Sequence, residues 1–138
     1  MSDWKDFQDL DETAQAAFLL DQAGRALPAL FGHPEHHARI VDYVQTAHAV
    51  LGGDVMQHPQ LRRFLSDPQT TDDFNVYFSA LQGEERALAA LDLAAYACGF
   101  VARITAAAAG NPALSDPILQ AEPGNAGYFE ARAVFLGL

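Results

Sequence analysis

Apolar residues recur along this chain at three- and four-residue intervals, in blocks separated by glycine and proline, and that spacing predicts a run of helices. Trp4, Phe7 and Leu10 stand three apart in an acidic opening segment, which reads as a helical turn pinning the N-terminus to the body. Asp11 is the expected N-cap of the first long helix, because its carboxylate can accept an otherwise orphan amide hydrogen. Ala14, Ala17, Phe18, Asp21, Gly24, Leu27 and Phe31 are expected on or near one face of that helix, and Pro28 predicts a kink or an early stop. Gly32-His33-Pro34 reads as a stop and a restart. A second helix is expected over 35–51, with Ile40, Val41, Val44, Ala47 and Leu51 as its apolar stripe and Gly52-Gly53 as its end.

A short helix opens at Pro59, with Leu61, Phe64 and Leu65 inward and Arg62-Arg63 outward, and Ser66-Asp67-Pro68 closes it. Residues 72–81 fit both periods: Phe74, Val76, Phe78 and Ala80 alternate, while Phe74, Tyr77, Phe78 and Leu81 follow the helical repeat. Helix is the reading chosen, because no second strand pattern exists to satisfy an isolated one. The longest element is expected over 84–109, ended by Gly110-Asn111-Pro112, with Asp92 the only charge between Arg86 and Arg103. That uncharged stretch is short of the roughly 20 residues a bilayer needs and carries an acid near its middle, so it reads as a core helix rather than a span. Leu88, Leu91, Ala95, Cys98 and Ala102 keep a 3-4-3-4 spacing along it. A last helix over 124–136 brings Tyr128, Phe129, Ala133 and Leu136 back onto it. The fold class expected is all-α: one domain over 1–138, a bundle of about five to six helices around a central Ala-rich helix.

Composition narrows the function. The chain has 138 residues, half of them hydrophobic, which is enough for a single packed core and excludes a disordered chain. Eighteen acids face eight Lys and Arg, for a formal net charge of −10, and Lys5 is the only lysine. Such a surface repels phosphate backbones and anionic lipid, so neither nucleic acid nor membrane is an expected partner. One cysteine, Cys98, suits a reducing compartment, and the first residues lack a signal-peptide pattern; the expected location is cytoplasmic.

Candidate chemistry is sparse. His33, His36 and His37 lie within five residues, yet neighbours on a helix diverge by about 100°, His33 and His37 are the better pair, and neither Asp42 nor His48 completes a site. No metal or other cofactor is expected. His48 reads as a half-buried histidine beside the apolar stripe, and His58 as a helix-start residue before Pro59. Asp92 must reach water, a cation or a donor, and Tyr96, Arg25 or Arg39 are the partners considered; a general acid or base with a raised pKa is the functional alternative. No second acid and no nucleophile accompanies it. Cys98, amid alanines, reads as a core residue. No phosphate loop, nucleophile elbow, HExxH or CxxC is present, and the protein is not expected to be an enzyme. The acids themselves are the remaining asset, clustered as Asp3/Asp6/Asp9/Asp11/Glu12, Asp67/Asp72/Asp73 and Glu84/Glu85. A surface of nearly one sign either keeps a protein soluble or captures a basic partner.

In order and spacing the elements resemble the small all-helical immunity proteins of bacterial polymorphic toxin systems. The likeness rests on Asp9-Leu10-Asp11 leading into Ala16-Ala17-Phe18-Leu19-Leu20, and on Leu61-Arg62-Arg63-Phe64-Leu65-Ser66-Asp67 followed by Asp72-Asp73. It continues through Leu91-Asp92-Leu93-Ala94-Ala95-Tyr96-Ala97-Cys98 to Leu114-Ser115-Asp116-Pro117-Ile118 and Tyr128-Phe129. The resemblance implies a non-catalytic protein that neutralises a cognate toxin domain by stoichiometric occlusion, with basic nucleases among the targets. Asp67, Asp72, Asp73, Glu84 and Glu85 are the expected partner-binding residues. Two other readings stand beside it: a structural or adaptor bundle that self-associates, and a metal-dependent enzyme built on the His33 cluster.

Overall fold

Asp11 caps the first helix as expected, its carboxylate accepting from the Ala14 amide at 2.8 Å. The computed structural model describes residues 3–66 and 73–138, and these form helices and turns with no strand. The helices are α1 (Glu12–Ala26), α2 (Pro34–Leu51), α3 (His58–Arg62), α4 (Asp73–Ala80), α5 (Glu85–Ile104), α6 (Asp116–Leu119) and α7 (Ala126–Phe135). Seven stand where five to six were expected, because α6 is a four-residue segment with no stripe of its own to read. Within 72–81 the described helix is Asp73–Ala80, in line with helix chosen over strand.

The all-α bundle is organised by α5, which touches the other six helices. It is long and apolar enough to cross a membrane by length and composition, yet most of it is buried inside the bundle. Leu91, Ala94, Ala97, Phe100 and Val101 have no exposed surface. Alanines let its neighbours approach, and Gly99 marks the tightest crossing. A Cβ there would sit 3.0 Å from the Leu65 side chain and 3.1 Å from that of Ala121, below ordinary contact distance.

Two boundaries differ from the sequence reading. The face of α1 is rotated: Ala16, Leu19, Leu20, Ala23 and Ala26 turn inward, while Ala17, Asp21 and Gly24 are exposed. Phe18 lies at the edge of the same core, packing edge-on against Trp4 (5.0 Å) and beside Phe7 (5.9 Å), so it does not mark the centre of the stripe. Pro28 ends the α-helix at Ala26 and the chain continues as a 3-10 turn, Leu27–Leu30, which leaves Phe31 in solvent. The N-terminal segment is pinned by polar as well as aromatic contacts: Trp4 Nε1 donates to Gln22, and Gln15 donates to the Phe7 carbonyl.

The second difference is at the end of α5, which stops at Ile104 rather than near 109. Thr105 turns its hydroxyl onto the Val101 carbonyl at 2.6 Å, and left-handed Gly110 and Asn111 (φ 90° and 55°) finish the reversal. His58 closes the same helix end. Its ring is fully buried, with Nε2 2.8 Å from the Ala102 carbonyl and Nδ1 2.8 Å from Arg62 Nη1. Since guanidinium can only donate, Nδ1 accepts and Nε2–H donates to a carbonyl in the last turn of α5. Arg62 is therefore half-buried against His58 rather than facing out, while Arg63 is exposed. His58→Ala is expected to destabilise the protein by about 2–3 kcal/mol, through two unsatisfied polar groups and the void left by the ring. Urea unfolding checks this, and a loss under about 0.5 kcal/mol would contradict the capping role.

Candidate functional site

Helices α4, α5, α6 and α7 enclose a cleft of about 390 Å³. Its floor is α5, which contributes Asp92, Ala95 and Tyr96; the first turn of α4 brings Phe74 and Asn75, and α7 brings Tyr128 and Phe129. Each wall residue is held from elsewhere. Tyr96 stacks flat on Phe129 (4.0 Å, 6°) and donates its hydroxyl to the Glu122 carbonyl at 2.7 Å, so it offers the cleft a ring and not an O–H. Burial, more than the opposing charge of Arg103, pushes its phenol well above the ordinary tyrosine value.

Asp92 is half-buried at the edge of this cleft. Tyr128 donates to its Oδ2 at 3.2 Å. Tyr96, Arg25 and Arg39, the partners expected from sequence, all point elsewhere: Tyr96 to Glu122, Arg25 to Asp21, and Arg39 towards Tyr77. Tyr96 lies one turn along the same helix, but its length carries the hydroxyl past Asp92 to the next segment. Arg132 stacks over the Tyr128 ring at 5.2 Å and makes no ion pair with Asp92.

Desolvation is the largest influence on Asp92 and raises its carboxyl above the ordinary value; the Tyr128 hydrogen bond and the Arg132 charge oppose this more weakly. The folded protein therefore holds this proton to higher pH than the unfolded chain does. Its contribution to stability falls as pH rises from the unfolded value toward the raised one. Asp92→Asn is accordingly expected to stabilise the protein at pH 7, with the gain vanishing below about pH 3, where both states are protonated. Urea midpoints at the two pH values check it. A destabilised variant at pH 7 would show that the Tyr128 and Arg132 contacts outweigh burial.

Three of the five acids expected to bind a partner fall within the described residues. Asp67 and Asp72 lie outside the described residues. Asp73 begins α4, whereas Glu84 and Glu85 follow its other end, beyond the turn at Gly83, about 12 Å of helix away. They flank one helix rather than crowd one joint. Glu84 is 2.7 Å from His33 Nε2, and Glu85 is exposed. Between the two ends α4 presents Val76 and Phe78 to solvent, 44% and 43% exposed.

The three clustered histidines diverge. His33 stacks on His36 (6.0 Å), His36 also meets Tyr77 (5.1 Å), and His37 packs edge-on against Phe31 (5.1 Å), so the favoured His33–His37 pair does not form. The reason is that His33 sits at the N-cap, outside helical geometry, with φ −130°. Among the described residues no three His, Cys, Asp or Glu converge in a metal-binding group. His48 is exposed rather than half-buried, and Cys98 is buried, its thiol pushed far up by desolvation. Asn75 and Gln120 are cleft residues that the sequence does not single out, and Tyr128, expected to pack back onto the central helix, is 57% exposed and meets Asp92, a pairing that nothing local signals across 36 residues. Comparison with protein-family models, with curated proteins and with solved structures found no match to this chain.

Proposed function

We propose that the protein is an immunity-type inhibitor that binds a cognate toxin domain in the bacterial cytoplasm and occludes it stoichiometrically, without catalysis. The observation that carries this reading is the exposed surface of α4, where Phe78, 43% exposed, stands between Asp73 at the start of the helix and Glu84 and Glu85 beyond its end. An apolar centre with a charged rim is the usual anatomy of a protein-binding patch. The rest of the surface supports it. The eighteen acids outnumber Lys and Arg by ten, for a formal net charge of −10. A basic partner, such as a nuclease with a cationic channel, suits that field, which speeds encounter and rejects neutral or acidic competitors.

The test is co-expression with the neighbouring open reading frame. That frame alone is expected to arrest growth, and this chain to restore it and co-purify as a one-to-one complex. Arrest that persists despite soluble expression of the chain would reject the reading. A second reading, self-association as an adaptor bundle, is favoured by Val134 and Phe135, exposed on α7 (66% and 45%) beside Leu138. Light scattering of the protein alone separates the two: a dimer at all accessible concentrations supports the adaptor, and a monomer the inhibitor.

A further inference from the structure

We propose that the cleft between α4, α5 and α7 binds an organic ammonium ion with a ring-sized apolar body, Asp92 being its counter-ion and Phe74, Tyr96, Tyr128 and Phe129 its walls. The cleft shares the first turn of α4 with Asp73, yet the inference concerns a small guest and stands without the toxin reading. At about 390 Å³ it has the size of a small-molecule site, and its lining is mainly aromatic and aliphatic with a few amides and one carboxylate.

The carboxylate selects the sign of the guest. Asp92 accepts one long hydrogen bond, from Tyr128 at 3.2 Å, although a carboxylate has about four acceptor sites. No arginine, lysine or histidine among the described residues forms an ion pair with it. Arg132, whose charge acts on it, lies over the Tyr128 ring and forms no ion pair with the carboxylate. A half-buried carboxylate so placed gains from an incoming cation and loses from an anion or from a neutral guest that strips its water. The rings act in the same direction, since aromatic faces attract cations. Because Tyr96 is locked by its stack on Phe129 and its bond to Glu122, the wall is preformed and little ordering opposes binding.

Three probes of similar shape decide it: phenethylamine, 2-phenylethanol and 3-phenylpropionate, titrated at neutral pH into the full-length protein with amide chemical shifts as the readout. Phenethylamine is expected to saturate shifts at Ala95, Tyr96 and Tyr128, with the alcohol and the carboxylate at least about tenfold weaker. Asp92→Asn, which retains an acceptor for Tyr128, should lose at least about tenfold in amine affinity while keeping a folded spectrum. Ala95→Leu, which fills the floor, should remove binding of all three. Equal affinity for amine and alcohol, an unchanged amine affinity in Asp92→Asn, or no saturable shift with any probe would each overturn the proposal.

Discussion

Replacing Asp72 and Asp73 together by lysine is expected to slow association with the cognate toxin by at least about tenfold at low salt, and much less at high salt. Each reversal adds two units of charge, so the pair takes the formal net charge from −10 to −6. A change of net charge acts mainly on encounter, so the effect should appear in the on-rate while the off-rate moves little. Phe78→Ala supplies the complementary signature. Its ring is partly exposed on α4 and stacks on Phe74 at 5.9 Å, so truncation removes apolar contact with a partner without opening the core. Faster dissociation with an unchanged on-rate is expected, in the manner of an interface hot spot. Stopped-flow association at two ionic strengths measures both. An on-rate indifferent to Asp72 and Asp73 would remove this end of α4 from the interface.

Phe100→Ala is expected to cost about 3–5 kcal/mol, a large share of the stability of a domain this size. Phe100 has no exposed surface and joins two groups of rings: Phe7 (6.4 Å) from the N-terminal segment and Tyr96 (6.0 Å) from the cleft floor. Arg103 stacks its guanidinium on the same ring at 4.8 Å while bridging to Glu12 at 2.7 Å and to the Ala121 carbonyl at 2.8 Å. Removing the ring opens a void where α1, α5 and the segment before α7 meet, and it withdraws the surface that orients Arg103. Urea unfolding checks the loss. Val134→Ala on the exposed side of α7 serves as the control and should stay within about 0.5 kcal/mol of the parent. A loss under about 1 kcal/mol for Phe100→Ala would contradict the central role given to this ring.

What was legible in the sequence is what local chemistry determines. The Asp11 cap, the Gly32-His33-Pro34 restart, the Gly52-Gly53 stop and the apolar stretch between Arg86 and Arg103 are each encoded locally, and each is found in place. Where distant segments decide, the reading slipped. The phase of α1 depends on the N-terminal Trp4 and Phe7, which cover Phe18 at the edge of the core. The end of α5 depends on Thr105 and a buried His58, and a His-Pro pair on its own reads as a surface turn. The cleft was invisible for the same reason, since its carboxylate and its phenol lie 36 residues apart. The acids of α4 could be counted, but their placement at both ends of a helix with exposed Val76 and Phe78 between them could not.

The central claim, that this bundle acts by occupying a toxin rather than by turning over a substrate, is tested most directly by titrating a fixed amount of active toxin with the protein and following residual toxin activity. The account predicts a linear decline that ends at one equivalent and does not deepen with longer incubation. Complete inactivation by a small fraction of an equivalent, progressing with time, would contradict it.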